Sequence, residues 1–324
     1  MERMFIVNKL LKISSLPAAI CILSFFTLSA CAQMAEHLKN ESFLTEWKSV
    51  ESSTVLLNNE DELVPLKDLM PLTIASVNIG SAYASEFDSI LNKYTRVQSF
   101  ASAQYNHDML SFNDLNDDLK FFNTIIVQVS DQSLNDPRTI PLLVDLQLNK
   151  SLIVSLSGDA GSLKLLEALN SAIIWSEKKS AVSANFAAQL IFGGVAANAR
   201  LNHAVSARYT LGSGSSTIPI RLKYTVPEEI GINSSALSRI DDIAEEAIRQ
   251  RATPSAVVLV VKDGKIIFNK AYGTRTYIDR TPTRITDIYD LASVTKISAT
   301  TMAVMRLYEE GKLKLDTNVG AYIP

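Results

Sequence analysis

The stretch SLIVSLSGDAGSLKLLEALN, residues 151–170, indicates the fold class of the larger part of the chain. Its first eight residues are mostly apolar and include β-branched side chains, which is typical of a buried strand, and a helix candidate follows at 161–170. Runs of the same kind stand at 53–59, 72–80 and 124–130. A further helix candidate lies at 85–93. Strands that alternate with helices predict an α/β fold, a three-layer sandwich over 49–210 with a mainly parallel sheet covered on both faces.

The composition is that of a folded protein with room for about two domains. The chain has 324 residues, of which 47% are hydrophobic and 20% charged, and its net charge is −3. This charge, without a dense block of basic residues, does not favour nucleic acid as a partner. No metal or cofactor is predicted, because the three histidines do not form a metal-ligand spacing. We interpret the acidic cluster Asp114, Asp117 and Asp118 as a solvated loop or the start of a helix.

The first 33 residues have the organisation of a secretory signal. Three basic residues come first: Arg3, Lys9 and Lys12. The apolar core at 16–28 that follows is shorter than a membrane span of about 20 residues. Leu28-Ser29-Ala30-Cys31 resembles the bacterial lipobox, whose cysteine is lipid-modified and becomes the new N-terminus. The resemblance implies a signal peptide over 1–30 and a lipid anchor at Cys31. The mostly polar residues that follow, 31–48, are interpreted as a tether that could end in a short helix. The protein would then lie in the bacterial cell envelope, on the periplasmic side or at the outer membrane. The alternative is an ordinary signal, cut after an A-x-A-like site.

The remaining third of the chain has a different pattern. A stretch rich in glycine and serine begins a predicted linker over 211–229. Residues 234–250 repeat apolar positions at helical spacing behind a capping serine, which predicts an amphipathic helix. Two apolar strands are predicted on either side of Asp263-Gly264, a dipeptide typical of a two-residue hairpin turn. A second helix is predicted from near Ser293 to Gly311.

Ser293 and Lys296 have the S-x-x-K spacing of an acyl-enzyme nucleophile and its base. The spacing alone proves little, since a chain with 35 serines and 18 lysines contains such matches by chance. A second match, Ser176 and Lys179, lies in a charged patch and is interpreted as solvated surface. Ser293 instead opens a helix that we predict to be buried, so Lys296 would lie on the same helix face, beside the serine hydroxyl.

Burial and the positive helix N-terminus would both disfavour the ammonium form of this lysine, which favours a base that takes the serine proton. The alternative is a capping serine followed by a lysine that extends into solvent. The residues alone leave both interpretations open.

The sequence DLASVTKISATTMAVMRLYEEGKLKLDTNVGAYIP, residues 290–324, resembles the superfamily of serine β-lactamases, penicillin-binding proteins and esterases, and its class C branch in particular. The likeness begins near Ile230 and includes the amphipathic helix, the Asp-Gly hairpin, SVTK and EEGKLKLD in the family's order. It implies that Ser293 is acylated by an amide or ester carbonyl and that Lys296 assists. The implied substrate is a lactam, a cell-wall-derived peptide or a small ester.

The same resemblance implies an incomplete domain. The family also uses a Tyr-x-Asn element and a Lys- or His-x-Gly strand downstream of the serine, and neither occurs in 294–324. We therefore expect 230–324 to be the N-terminal part of an α+β serine β-lactamase-like domain, with the nucleophile but without its pocket. Turnover by this chain alone is not expected, and a complementing downstream polypeptide is a candidate partner.

Three segments of the first part resemble the C-terminal α/β domain of glycoside hydrolase family 3, namely 52–67, 151–161 and 187–206. Asn202 departs from the family, which often has proline there. Family members place a barrel of about 250 residues before this domain, and the stretch between Cys31 and Val55 cannot hold one. Glycosidase chemistry needs two positioned carboxyl groups, so no glycosidase activity is expected.

These patterns predict a lipid-anchored serine hydrolase linked to cell-wall or glycan metabolism. The alternative belongs to another class of function: a non-catalytic envelope lipoprotein that binds a glycan or a protein partner.

Overall fold

The structure, a computed structural model, describes residues 34–105 and 111–323. The predicted signal peptide and Cys31 lie outside these residues. The described chain forms two compact units. The first runs to Glu246 and also contains Val258–Asn269, and the second contains Ala247–Val257 and the residues from Lys270 onward. Within the described residues, no helix has both the length and the apolar character that crossing a membrane requires.

A six-stranded sheet forms the centre of the first unit. Its strands are β1 (Val55–Leu57), β2 (Ile74–Ile79), β3 (Val97–Ala101), β4 (Thr124–Ser130), β5 (Ser151–Ser157) and β6 (Ala172–Ser176). They lie in the order β1-β6-β5-β4-β2-β3, with β1 antiparallel to β6 and all other neighbours parallel. The strands predicted from apolar runs are confirmed as β1, β2, β4 and β5, and the mainly parallel sheet is confirmed with them.

Helices cover both faces of this sheet. They are α1 (34–53), α2 (Ala84–Tyr94), α3 (Phe112–Asp118), α4 (Thr139–Asn149) and α5 (Ala181–Phe192). One apolar core joins a sheet face to α3 and α4 through residues such as Leu115 and Leu143. The other core joins the opposite face to α1, α2 and α5 through Trp47, Phe87 and Phe186.

The segment before β1 is a packed helix, in place of the predicted tether over 31–48. The described residues 34–48 are helical and continue to residue 53. Trp47 is only 2% exposed, and its ring meets Phe186 edge-on with the ring centroids 5.4 Å apart. Phe43, Trp47 and Val50, spaced three or four residues apart, therefore form a stripe that holds α1 in the core.

The α-helix predicted at 161–170 is wrong. The chain forms a 3₁₀ helix there, Ala160–Leu166. Its buried leucines, Leu163 and Leu166, stand three residues apart, the spacing that a 3₁₀ turn brings to one side.

The segment predicted as a linker, 211–229, is tied to the first unit by Arg221. The Arg221 guanidinium donates to the carbonyl oxygens of Leu66 and Phe192 at 2.7 Å, and to that of Lys67 at 2.8 Å. Phe192 is the last residue of α5, so one of these bonds satisfies a carbonyl that the helix leaves without an internal partner. The segment is consequently an ordered joint.

One helix and three strands follow along the chain: β7 (Lys223–Tyr224), α6 (Ser234–Arg249), β8 (Ser255–Lys262) and β9 (Lys265–Gly273). The strands lie in the order β7-β9-β8. The predicted amphipathic helix and hairpin are confirmed. Asp263 and Gly264 have φ angles of 52° and 74°, and a type I′ turn requires such positive values at both central residues.

The last described helix belongs to the second unit. Residues 294–309 are helical, with a π-helical turn at Lys296–Thr300 before α7 (Thr301–Glu309). Gly311, at a φ of 70°, ends the helix as predicted. The predicted burial of this helix is wrong for this chain: Ile297 is 69% exposed and Tyr308 51%, because no described residue covers its apolar side.

Candidate active site

Ser293 lies in the turn that leads directly into the 294–309 helix. The preceding Ala292 has a φ of 42°, in the left-handed region that non-glycine residues seldom adopt. The side chain of Asp290 supports this turn by accepting the N–H of Ala292 at 3.1 Å. Val294 N–H donates to the carbonyl oxygen of Leu291 at 2.9 Å. The sharp turn therefore brings the serine to the positive end of the helix.

The structure brings the two sequence-predicted side chains together. Lys296 Nζ lies 3.1 Å from Ser293 Oγ, with the amine donating, and Lys296 N–H donates to the Ser293 carbonyl oxygen at 3.0 Å. A neutral lysine in this position would accept the serine proton across the same contact. The local geometry thus suits a nucleophile with its base one helical turn away.

Both side chains are exposed. The burial that was expected to favour a neutral lysine is therefore absent. The two side chains are exposed for the same reason as the apolar residues of the helix: no described residue covers them.

The backbone of Ser293 offers one donor for a developing oxyanion. No described residue accepts a hydrogen bond from the Ser293 N–H. Acyl transfer uses two such donors aimed at the carbonyl oxygen.

A separate open hollow of about 550 Å³ lies in the second unit. Arg275 forms part of its wall and donates a hydrogen bond to Asp287 Oδ1 at 2.9 Å. This hydrogen bond is the main reason that the pKa of Asp287 lies below its usual value. Tyr289 closes another side by donating to Ser255 Oγ at 3.1 Å. Ser293 does not line this hollow. Sequence patterns did not indicate the ion pair, because its members are twelve residues apart in an irregular loop.

The second S-x-x-K match has no such geometry. Ser176 is the last residue of β6 and only 4% exposed, so its interpretation as solvated surface is wrong. The strand includes Ser176, although the charged residues that follow had suggested that it ends earlier. Lys179 Nζ contacts Asp131 Oδ1 at 2.7 Å. Ser176 ends a strand and Lys179 lies in the loop that follows it, and their side chains do not form a hydrogen bond with each other.

The remaining sequence candidates have structural roles. Asp114 completes a capping box with Ser111 at the start of α3, so the interpretation as a helix start is confirmed for this residue. Asp117 and Asp118 are the last two residues of the same helix. Asp118 accepts a hydrogen bond from the Tyr105 hydroxyl at 2.6 Å. No group of three potential metal ligands occurs within the described residues.

Comparisons with known proteins bear on the second part of the chain. The family model described as Beta-lactamase matches residues 240–324. A protein of Escherichia coli (strain K12), described as "Putative D-alanyl-D-alanine carboxypeptidase", is 35% identical over 105 residues, which are 30% of this chain and 24% of that protein. A protein of the same description from Salmonella paratyphi B is 37% identical over 105 residues, with the same coverage. The chain therefore spans about a quarter of the length of the curated relatives it matches.

Two solved structures resemble the chain at low scores. One is a glycoside hydrolase family 3 β-N-acetylglucosaminidase from Paenibacillus sp. str. FPU-7, with a TM-score of 0.38 and 13% identity over 47% of this chain and 30% of that one. The other is a fungal multi-domain β-N-acetylglucosaminidase of the same family, with a TM-score of 0.43 and 14% identity over 82% of this chain and 32% of that one. Scores this low carry no argument about function.

The family match and the related proteins support a serine β-lactamase- or penicillin-binding-protein-like domain in the C-terminal region. They support membership of a serine hydrolase superfamily for this region, and the matched residues include Ser293 and Lys296.

Proposed function

We propose that this chain contributes the nucleophile of a serine hydrolase that acts on an amide or ester of the cell wall. The observation that carries the proposal is the 3.1 Å contact between Lys296 Nζ and Ser293 Oγ, at a helix N-terminus inside the region that matches the Beta-lactamase model. A chance S-x-x-K match, such as Ser176 and Lys179, has neither feature.

The proposed chemistry proceeds through an acyl-serine. Ser293 Oγ attacks the substrate carbonyl carbon while its proton passes to Lys296 Nζ, and the oxygen that becomes negative accepts the Ser293 N–H. The carbon–nitrogen or carbon–oxygen bond then breaks, and the proton goes to the leaving group. Water attacks the ester that remains and restores the serine.

The substrate is proposed by class from the related proteins. The matched relatives carry a description as D-alanyl-D-alanine carboxypeptidases, which makes a peptide ending in D-alanyl-D-alanine the first candidate. A lactam or a small ester would be acylated by the same step. The sequence resemblance to penicillin-binding proteins and esterases agrees with this range.

We propose further that a second polypeptide, or a further part of the fold, completes the site. The 294–309 helix exposes large apolar residues, among them Ile297 and Met305 at 69% and 50% exposure, and exposed apolar surface of this kind is typical of an interface. The same cover would bury Lys296 and could supply the second oxyanion donor. Lack of one such donor alone lowers the rate about 100- to 1,000-fold, so this chain by itself is proposed to be inactive.

The proposal extends to the rest of the chain. Residues 49–210 are proposed to be a glycoside hydrolase family 3 C-terminal-type α/β domain, 211–229 the joint, and 230–324 the part that carries the nucleophile. A lipid on Cys31 would hold the protein in the cell envelope. Mass spectrometry of the mature N-terminus tests this anchor, and an unmodified Cys31 or cleavage elsewhere would contradict it.

A non-catalytic envelope lipoprotein is the second candidate. The observation that favours it is the exposure of both Ser293 and Lys296, since the pair lacks the burial that an acyl-enzyme site uses. Such a protein would bind a glycan or a protein partner.

Labelling with a fluorescent penicillin and a fluorophosphonate separates the two candidates. The whole chain is tested alone and with the part of the Escherichia coli relative that lies outside the matched 105 residues. We expect labelling only in the mixture, lost in Ser293→Ala and retained in Ser298→Ala, a matched control on the same helix. Labelling of the chain alone would contradict the incomplete site. No labelling in either sample would favour the non-catalytic protein.

A further inference from the structure

The sheet of the first unit contains a topological switch point. Apart from the antiparallel β1, its strands run β3-β2-β4-β5-β6. The chain places β3 on one side of β2, then returns and adds β4, β5 and β6 on the other side. Open parallel sheets bind ligands at the carboxyl ends of their strands, where the direction of winding reverses. In this sheet the reversal lies between β2 and β4.

A narrow crevice lies at this edge of the sheet. Its polar lining comes from the ends of successive elements: Ser81 and Tyr83 after β2, Gln128 in β4, Ser155 in β5, Ser176 in β6 and Ser180 before α5. The empty volume is about 300 Å³, but only about 10 Å³ of it admits the centre of a water molecule. A space of that size holds about one water-sized group. The crevice therefore suits the tip of a ligand, such as a single hydroxyl.

Two atoms that line the crevice are buried without a hydrogen bond. Gln128 is 5% exposed and Ser176 is 4% exposed. Gln128 Oε1 and Ser176 Oγ have no hydrogen-bond partner among the described residues. Native proteins leave few buried polar atoms unsatisfied. An amide oxygen that accepts and a hydroxyl that both donates and accepts are together complementary to a hydroxyl group.

The charges around the crevice are already paired. No acidic or basic side chain lines it. Asp131, which follows β4, accepts from Lys179 Nζ at 2.7 Å and from the Asp159 N–H at 3.0 Å. The N-terminus of α5 is closed by a capping box between Ser180 and Ser183. A charged ligand would enter without a counter-charge, which is costly, whereas a neutral hydroxyl would not.

We propose that this crevice binds a hydroxyl group of a neutral polyol or carbohydrate. Gln128 Oε1 accepts a hydrogen bond from a hydroxyl group of the ligand. Ser176 Oγ, which lies on β6 with β5 in between, offers a second polar contact at the other side of the crevice. The site lies wholly in the first unit and does not depend on the proposed hydrolase function.

Nuclear magnetic resonance of the whole ¹⁵N-labelled chain tests the site with glycerol and glucose as probes and inorganic phosphate as the charged comparison. We expect saturable shifts of the Gln128 side-chain amide, assigned with Gln128→Met, and of the backbone amides at 180–183. Loss of one hydrogen bond in Gln128→Met or Ser176→Ala should weaken binding about tenfold. The matched controls Gln98→Met and Ser99→Ala change exposed residues of β3 and should leave binding unchanged.

Three results would overturn the proposal. The first is the absence of saturable shifts with either polyol in the unsubstituted chain, a measurement that does not rely on any variant folding. The second is a stronger response to phosphate than to glucose. The third is a melting temperature that rises in Gln128→Met and Ser176→Ala while polyols have no effect, because the crevice would then hold only unsatisfied groups or water.

Discussion

The two units contrast in what their helices bury. In the first unit, α5 lies in a core where Phe186 is fully buried, beside a sheet whose Ile126 is also fully buried. In the second unit, the 294–309 helix exposes Ile297 and Tyr308. Both helices end at a glycine with a positive φ. The difference teaches that local signals decide where a helix begins and ends, whereas burial decides how much stability it adds.

The two S-x-x-K matches repeat this contrast at the level of single side chains. Ser176 ends a strand, and Lys179 contacts Asp131 in another loop. Ser293 begins a helix, and Lys296 returns to within 3.1 Å of its hydroxyl. A spacing of three residues brings side chains together on a helix but not on a strand. The motif therefore has chemical meaning only in its helical setting.

The largest effect is expected for a substitution in the packed core of the first unit. Phe186→Ala should lower the free energy of unfolding by about 3–5 kcal/mol, because it removes a fully buried ring. Ile297→Ala, at an exposed position, should change it by less than about 0.5 kcal/mol. Urea unfolding followed by tryptophan fluorescence measures Phe186→Ala, since Trp47 and Trp175 are both buried in the first unit. Hydrogen exchange of the amides at 294–309 measures Ile297→Ala, because this helix lies in the second unit. A large loss in Ile297→Ala would show that this helix is covered in solution.

The second-largest effect is expected in the joint, residues 211–229, which links the α/β sheet to the elements that follow it. Arg221→Ala removes hydrogen bonds to three backbone carbonyls and should cost about 2–3 kcal/mol, since its donors are charged. Limited proteolysis should then cut within 211–229, where the intact chain resists. Arg239→Ala, at an exposed position of α6, is the control. Equal resistance in both variants would argue against the anchored joint.

The pH dependence tests a half-buried carboxyl in the first unit. Burial raises the pKa of Glu229, but the hydrogen bonds from the Lys223 and Lys265 ammonium groups to Glu229 Oε1 outweigh it and hold the pKa below the ordinary value of 4.5. A carboxyl with a lowered folded-state pKa adds stability above its unfolded pKa, and this is lost as pH falls through the folded value.

Glu229→Gln should therefore destabilise the protein by about 1–2 kcal/mol at neutral pH, and this deficit should shrink below about pH 4.5. Urea unfolding across this pH range measures both quantities. Glu51→Gln, at an exposed position of α1, is the control. A deficit that is equal at pH 3 and pH 7 would contradict the assigned role of the carboxylate.

The smallest expected effect concerns the candidate active site. Ser293→Ala and Lys296→Ala should each change the stability by less than about 0.5 kcal/mol, because both side chains are exposed. Hydrogen exchange of the amides at 294–309 measures this helix directly. Clearly faster exchange in both variants would mean that the pair supports the helix, which would weaken its interpretation as catalytic.

Much of the fold could be predicted because some segments carry their structure locally. β2, β4 and β5 are near-continuous apolar runs, and Asp263-Gly264 specifies its own turn. β3 could not be recognised, because two of its five residues are exposed at the sheet edge. The packing of α1 was not predicted for another reason. It depends on the contact between Trp47 and Phe186, which are far apart in the sequence.

The candidate site divides in the same way. The spacing of Ser293 and Lys296 indicated their contact, because three residues make nearly one turn of any helix. Their exposure could not be predicted, since it depends on which other elements cover the helix. The burial of Ser176 was missed because the charged residues that follow it suggested a surface.

By itself, the sequence determined the alternation of strands and helices, the hairpin turn, and the position of the serine one helical turn before its lysine. These features follow from interactions between residues close together in the chain. Only the tertiary structure decided the strand order and its switch point, the burial of Gln128 and Ser176 along one crevice, and the open side of the 294–309 helix. These depend on contacts between residues distant in the sequence, and the free energy of burial belongs to such contacts rather than to any local pattern.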